Sequence, residues 1–246
     1  MKTLYIIKAG STFASKVSLL GDFEEWVRLG LGALRCRVAV VDAVHGDTLP
    51  PVTSCAGAIV TGSHAMVTDD LPWSLGIERW ITEIVEHRVP FLGICYGHQL
   101  LGRAAGGVVG YHPLGREVGT ASVELSSEAG DDLLFNGVPR RFSAHATHAQ
   151  SVIRLPAGAV RLAGNSHEPN HAFRVGPCAW GVQFHPEYTP EIMTAYVTAQ
   201  RSELEAAGTD VDAMISGICE TPGAGRVLTN FASLASPATS ACRPGL

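Results

Sequence analysis

The chain has 246 residues, 46% of them hydrophobic, and a formal net charge of −5. That is enough apolar material for one large domain or two small ones. The charge argues against nucleic acid or an anionic membrane as the main partner, because both require clustered Lys and Arg, and no long basic run is present; we therefore expect a small-molecule substrate.

The apolar run at the N-terminus, Leu4 to Ile7, is too short for the core of a signal peptide, and no later run reaches membrane-spanning length. The six cysteines are scattered and none lies in a CxxC pair, which fits a reducing compartment. We expect a cytoplasmic protein. The ten histidines suggest a metal site, but no HExxH or similar ligand spacing occurs, so we predict no metal.

Short β-branched runs alternate with helical patterns through the first hundred residues. Strands are predicted in "TLYIIKA", "CRVAVVDA", "GAIVTG" and "FLGI", and helices over Asp22 to Gly30 and near Ser74 to Arg88. This alternation is typical of a parallel sheet with crossover helices, the α/β class. Between Val108 and Val182 helical periodicity fades, and short runs separated by Gly, Pro and Asn predict further strands, several of them antiparallel.

A helix is predicted from about Pro190 to Ala207, because Pro190 suits a first helical position and Glu191 suits a first turn. We assign residues 1–207 to one domain and residues 208–235 to a C-terminal helical extension of that domain. The small, polar sequence over residues 236–246 predicts a flexible tail.

The segment Gly93 to Gly97 reads G-x-C-x-G, the cysteine counterpart of the G-x-S-x-G nucleophile elbow. A buried-strand pattern precedes Cys95 and a helical pattern follows it, as a nucleophile on a tight strand-to-helix turn requires. Side chains at the two glycine positions would collide in such a turn, and the helix N-terminus favours a thiolate. The alternative is a small buried cysteine whose neighbours are glycine by chance.

A partner for Cys95 is predicted in "WGVQFHPEY", where His185 and Glu187 stand two residues apart in an extended segment and point the same way. Pro186 stiffens the chain between them. The carboxylate can fix the tautomer of the imidazole and stabilise the imidazolium that forms when His185 takes the cysteine proton. These three side chains predict a catalytic triad. His98 and His112 have no comparable partner in sequence and are interpreted as structural. A polar loop is predicted around Glu168, with His167 and His171, and such a loop could line the site if it lies near it.

Acyl transfer to a thiolate also requires donors for the oxyanion of the tetrahedral intermediate. The backbone amide of Tyr96 follows the nucleophile and is one candidate. The strand "AGAIV" ends in Gly62 and Ser63, where a turn can direct a second amide into the site. An ordinary glycine turn after a strand is the alternative for this segment.

Together these residues resemble the class I glutamine amidotransferase family, whose hallmarks are G-x-C-x-G-x-Q and a downstream G-V-Q-F-H-P-E. Both are present, as "GICYGHQ" and "GVQFHPE", about 90 residues apart, and the similarity extends over Lys2 to Tyr196. The resemblance implies a flavodoxin-like fold, with a mostly parallel central sheet, helices on both faces and extra antiparallel strands. "REVG", from Arg116 to Gly119, looks like the strand motif of the GMP-synthase-like branch.

By position, the resemblance implies roles for individual residues. Cys95 matches the nucleophile, His185 the base and Glu187 the orienting acid. Gln99 matches the reader of the amino-acid end of the substrate, and His148, in the segment "THAQSV" where relatives often carry Ser-His-Gly-Asp, is assigned to substrate binding as well. Three residues match the oxyanion amides: Gly62, Ser63 and Tyr96.

The resemblance implies hydrolysis of the γ-amide of glutamine, or of a related γ-glutamyl compound, through a thioester, with no metal or organic cofactor. A γ-glutamyl peptidase acting on glutathione-like conjugates, an ammonia-supplying subunit of a separate synthase and a non-enzymatic binding module are the alternatives. No GxxxxGK phosphate loop is present, so a nucleotide site is not expected. The loop from Ser63 to Trp73 is long enough for a lid or pocket wall, in which Asp69, Asp70 and Trp73 could meet a substrate ammonium or an apolar leaving group; for Asp69 and Asp70 individually a solvated surface loop is the preferred interpretation.

Overall fold

The computed structural model describes residues 2–34 and 36–235, so the tail expected at 236–246 lies outside the described residues. The strands are β1 (Thr3–Lys8), β2 (Arg37–Asp42), β3 (Cys55–Val60), β4 (Phe91–Ile94), β5 (Val108–Tyr111), β6 (Glu117–Leu125), β7 (Arg141–His148), β8 (Gln150–Arg154), β9 (Val160–Gly164), β10 (Ala172–Val175) and β11 (Ala179–Val182). The helices are α1 (Ala14–Leu20), α2 (Phe23–Gly30), α3 (Pro72–Glu86), α4 (Tyr96–Ala104), α5 (Pro190–Ala199), α6 (Arg201–Ala206), α7 (Val211–Ser216) and α8 (Pro222–Leu234).

Within the described ranges the central sheet has nine strands in the order β2-β1-β3-β4-β11-β10-β9-β6-β7. The pairings from β2 to β11 are parallel, and those from β11 to β7 are antiparallel. A separate two-stranded sheet pairs β5 with β8. The predicted α/β class, with a parallel sheet extended by antiparallel strands, is confirmed.

Both faces of the sheet are covered by helices. Along β1, Leu4 and Ile6 belong to one apolar cluster, which includes residues of α2 and α8, whereas Ile7 belongs to a second cluster, which includes residues of α3 and α4. This alternation follows from the two-residue period of a strand, which sends successive side chains to opposite faces. Among the described helices, none is long and apolar enough to cross a membrane.

The structure differs from the sequence prediction at the helix expected from Pro190 to Ala207. Two helices, α5 and α6, meet at Gln200, whose φ of −100° and ψ of 8° depart from helical values. The Gln200 side chain bonds back to the Tyr196 carbonyl oxygen through Nε2 at 3.1 Å. This break places Gln200 and Glu203 beside the cavity described below.

The parallel strands end at one edge of the sheet, and the residues of interest follow directly after them. Gly62 and Ser63 come after β3, Cys95 comes after β4, and His185 comes after β11. Because the carboxyl ends of neighbouring parallel strands lie together, segments far apart in sequence meet at this edge. The fold therefore gathers three of the predicted site segments in one place.

Candidate active site

Cys95 lies in a strained turn between β4 and α4. Its φ is 49° and its ψ −95°, a conformation rare for a residue with a side chain. An added Cβ on Gly93 would lie 2.3 Å from the Gly97 carbonyl oxygen, and one on Gly97 would lie 2.4 Å from the Val60 carbonyl oxygen. The two glycines are thus required by close backbone packing, as the motif predicts. The amide of Cys95 donates to the Val182 carbonyl at 2.8 Å and ties the turn to β11.

His185 and Glu187 form a buried hydrogen-bonded pair. The distance from Nδ1 of His185 to Oε1 of Glu187 is 2.7 Å, and both side chains are almost fully buried. Burial opposes the charged imidazolium, but the negative charges of Glu187 and then of Cys95 outweigh it and raise the pKa of His185 to about 10. Since Glu187 occupies Nδ1, the nitrogen left for Cys95 is Nε2, which has no other partner among the described residues.

The turn after β3 packs directly against these groups. An added Cβ on Gly62 would lie 3.1 Å from Cε1 of His185 and 3.9 Å from Cβ of Cys95. Thr61 fixes this turn, since its hydroxyl accepts from the Ala9 amide at 3.0 Å and donates to the Gly62 carbonyl at 3.0 Å. The close approach to the histidine explains the glycine, because a side chain at that position would crowd the imidazole.

Tyr96 is the first residue of α4, and its amide has no acceptor within the helix. Its side chain points into the scaffold: the hydroxyl bonds to Oγ of Ser74 at 2.6 Å, and the ring packs on Trp73 at 5.6 Å. The backbone of Tyr96 is therefore the part of the residue that can serve the site.

A cavity of about 410 Å³ opens beside Cys95, a size within the range of small-molecule sites. Six of the predicted site residues line it: Ser63, Cys95, Tyr96, Gln99, His148 and His185. Gly62 and Glu187 do not line the cavity but lie next to His185, which does. Sequence reasoning missed most of the remaining lining residues, which include Phe13, Phe23, His64, Arg116, Tyr188, Tyr196, Gln200 and Glu203; "REVG" was the signal that pointed to Arg116.

Gln99 and His148 line the cavity while bound to the scaffold. Nε2 of Gln99 donates to the Gln150 carbonyl at 2.8 Å and to Oε1 of Gln183 at 3.1 Å, which leaves its own oxygen as the part of the amide not used in these bonds. Nδ1 of His148 lies 3.0 Å from the Gln150 carbonyl, and Nε2 lies 3.1 Å from Oε2 of Glu117. Both ring nitrogens of His148 therefore face oxygen atoms of the scaffold, which fixes the orientation of the ring in the cavity wall.

Glu117 is the centre of a buried polar network that the sequence did not predict. Besides His148, it accepts from Nδ2 of Asn165 at 2.8 Å and lies 3.0 Å from Nε2 of His171. Burial alone would raise the pKa of Glu117, but the hydrogen bonds from the two histidines hold it well below its usual range. The second residue of "REVG" therefore anchors a histidine of the cavity wall.

Other predicted polar segments are scaffold. Glu168 and His171 are fully buried, although Ser166 and Pro169 of the same loop are exposed, so the two side chains belong to the interior. In the Ser63–Trp73 loop, Asp70 binds Arg103 at 2.7 Å, and neither Asp69, Asp70 nor Trp73 lines the cavity. Only the first residues of that loop, Ser63 to Met66, contribute to its wall.

Comparisons with known proteins agree with this picture. The family model described as glutamine amidotransferase class-I matches residues 20–202. A glutamine-hydrolyzing GMP synthase of Aeropyrum pernix is 35% identical over 142 residues, which are 58% of this chain and 25% of that relative. Gamma-glutamyl peptidase 5 of Arabidopsis thaliana is 29% identical over 202 residues, which are 77% of this chain and 76% of that relative.

The fold is shared with a solved structure of a glutamine amidotransferase from Thermotoga maritima. Its TM-score is 0.73 at 21% identity, over 96% of this chain and 99% of that one. The match to the GMP synthase covers only a quarter of that longer relative. The family model, by contrast, extends over most of the chain and includes both the Cys95 turn and the His185 segment. The protein belongs to the glutamine amidotransferase class-I family.

Proposed function

We propose that the protein hydrolyses the γ-amide of glutamine, or of a related γ-glutamyl compound, through a thioester on Cys95. The observation that carries this proposal is the meeting of three features: a cysteine in a strained turn, a buried histidine–carboxylate pair beside it and a cavity open to both. A strained nucleophile next to an oriented base is the arrangement that acyl transfer requires.

In the proposed first step, the Cys95 thiolate attacks the amide carbon and a C–S bond forms. The backbone N–H groups of Gly62, Ser63 and Tyr96 are the proposed donors to the oxyanion. His185 gives its proton to the leaving nitrogen as the C–N bond breaks, which releases ammonia or an amine. Water then loses a proton to His185 and attacks the thioester, and the C–S bond breaks to release glutamate.

Glu187 has a positioning role in this mechanism. Its carboxylate holds Nδ1 of His185 at 2.7 Å, which leaves Nε2 to exchange the proton with Cys95 and the leaving group. The same negative charge favours the imidazolium, so the proton needed by the leaving nitrogen is present at neutral pH.

The amino-acid end of the substrate is assigned to the side of the cavity formed by Gln99 and His148. An α-ammonium group can donate to the oxygen of the Gln99 amide, which is not used in the hydrogen bonds that Nε2 makes. His148 lies beside it, because Nε2 of Gln99 and Nδ1 of His148 both meet the Gln150 carbonyl oxygen. Polar groups gathered on this side of the cavity would direct the γ-amide toward Cys95.

Two alternatives have a specific observation in their favour. A γ-glutamyl peptidase activity is supported by a relative of that name whose match covers 77% of this chain and 76% of its own length. An ammonia-supplying role for a separate synthase subunit is supported by the GMP synthase match, which covers 25% of a longer protein. In both cases the same Cys95 thioester would form.

The test is an assay of the purified protein with glutamine, γ-glutamyl dipeptides and glutathione conjugates, in which ammonia, amine and glutamate are measured. Cys95→Ala should lower kcat/KM at least about a hundredfold. Cys219→Ala, which removes an exposed thiol, is the matched control and should retain activity. Activity that survives in Cys95→Ala would contradict the nucleophile assignment. If glutamine is turned over only after a synthase subunit is added, the subunit alternative holds.

A further inference from the structure

One side of the cavity is built from aromatic rings, which we call the aromatic wall. Tyr188 stacks on the His185 ring, with centroids 4.0 Å apart and planes at 21°, and lies 5.1 Å from Tyr196. Phe13 continues the wall at 5.0 Å from Tyr196 and 4.6 Å from His64. The wall is therefore continuous from the His185 ring outward, and it comprises Phe13, Phe23, His64, Tyr188 and Tyr196.

The aromatic wall carries no charge at neutral pH. The pKa of His64 is lowered, mainly by burial and to a smaller extent by the positive charge of His185. Burial raises the pKa values of Tyr188 and Tyr196. Arg116, a cation that lines the same cavity, is paired with Glu203 at 2.9 Å and also donates to Gln200. The rings of the wall thus offer apolar surface and ring edges and carry no cation, and the Arg116 guanidinium in the same cavity already has a carboxylate partner.

The position of the aromatic wall identifies which part of a substrate it meets. His185 gives a proton to the leaving nitrogen in the proposed mechanism, so the leaving group must lie on the side of the imidazole. Tyr188 covers the face of that imidazole. Gln99 and His148, which are assigned to the glutamyl end, belong to α4 and β7 and are not part of the wall.

We propose that the aromatic wall is a leaving-group subsite, and that the substrate is a γ-glutamyl amide of an aromatic or apolar amine without a carboxylate. This inference rests on the proposed function and specifies its substrate class. Ammonia from glutamine would leave the rings of the wall uncovered. The carboxylate of a peptide leaving group would face rings that carry no cation, while Arg116 is already paired with Glu203, so burying that carboxylate against the wall is costly. The reaction remains a hydrolysis: the C–N bond breaks, the amine departs with the proton from His185, and water releases glutamate from Cys95.

The test compares γ-glutamylbenzylamide, γ-glutamylmethylamide, γ-glutamylphenylalanine and glutamine. Benzylamine and methylamine are both alkylamines, so their comparison reports on contact with the leaving group more than on its reactivity. We expect kcat/KM for the benzylamide to exceed that for the methylamide at least about tenfold, and the phenylalanine compound, which adds a carboxylate, to fall below the benzylamide.

Phe13→Ala should lower the benzylamide-to-methylamide ratio at least about fivefold, because a half-buried ring of the wall is removed. Leu19→Ala removes an apolar side chain that is 80% exposed and does not line the cavity, and it should leave the ratio unchanged. Damage to folding in Phe13→Ala would lower kcat/KM for both amides together, so their ratio reports the contact with the ring alone. Phe13→Leu should restore part of the wild-type ratio.

The outcomes separate the two proposals. Hydrolysis of glutamine and the methylamide without preference for the benzylamide would overturn the leaving-group subsite and leave the proposed function standing. A preference that Phe13→Ala does not change would also overturn it. Failure of the wild-type protein on all four compounds would overturn both.

Discussion

Substitution of Gly93 by alanine tests the close packing that creates the Cys95 turn. The new Cβ would lie 2.3 Å from the carbonyl oxygen of Gly97 and 2.7 Å from the amide nitrogen of His98. These are backbone atoms of α4, so no flexible side chain can move aside. To restore an ordinary contact distance, the first turn of α4 must move away from β4 by about 1 Å. A backbone shift of this kind is what makes overpacking destabilising.

We expect Gly93→Ala to lower the free energy of unfolding by about 3 kcal/mol, the upper end for overpacking, and the Tm by about 6–12 °C for a chain of this size. A shift of about 1 Å at Cys95, the proposed nucleophile, should also lower kcat about a hundredfold. Thermal unfolding and the glutaminase assay measure the two effects.

Gly76→Ala is the matched control, because it makes the same chemical change in the interior of α3, where an added Cβ meets nothing within 4 Å. It should raise stability by about 0.5–1 kcal/mol through helix propensity and leave activity intact. If Gly93→Ala matched the wild type in both Tm and kcat, the argument that the glycine is required by backbone crowding would be wrong.

Three further substitutions probe the charged groups. Glu187→Gln should lower the pKa of His185 and move the alkaline limb of the pH–rate profile to lower pH; an unshifted limb would show that another group sets it. Glu117→Gln should lower the free energy of unfolding by about 3 kcal/mol at pH 7, because it removes the charged partner of two buried histidines. Folding depresses the pKa of Glu117, so the carboxylate contributes fully to stability above its ordinary pKa of 4.5. In urea titrations, the difference in free energy of unfolding between wild type and Glu117→Gln should therefore become smaller below that pH. Asp22→Ala removes the cap of α2 and one partner of Lys8 and should lower the free energy of unfolding by about 2 kcal/mol in the same titrations, against at most about 1 kcal/mol for Asp210→Ala, which removes the exposed cap of α7 alone.

The parallel half of the sheet was predictable because its strands are buried on both faces and appear as short apolar runs. The antiparallel half was less so. In β7 the apolar alternation is weak, because Phe142 is followed at the next buried alternate positions by two alanines and a histidine, Ala144, Ala146 and His148. Small or polar residues at buried positions give little hydrophobic signal.

The same distinction applies to the candidate site. The Cys95 turn and the His185–Glu187 pair are local features, so each could be proposed from a few consecutive residues. The aromatic wall and the Glu117 network join side chains from elements far apart in the chain, and no periodicity marks them. Phe13 before α1 and Tyr196 in α5 meet only after the sheet has brought their helices together.

Two buried histidines show how neighbouring groups set the pKa of an imidazole. His98 and His185 are both almost fully buried. Burial lowers the pKa of His98 to about 3, with no side-chain partner for either ring nitrogen among the described residues, whereas the charge of Glu187 raises that of His185 to about 10. The carboxylate, more than the depth of burial, therefore decides which imidazole can carry a proton at neutral pH. The sequence already contains this difference, because Glu187 stands two residues after His185, whereas Leu100 stands two residues after His98.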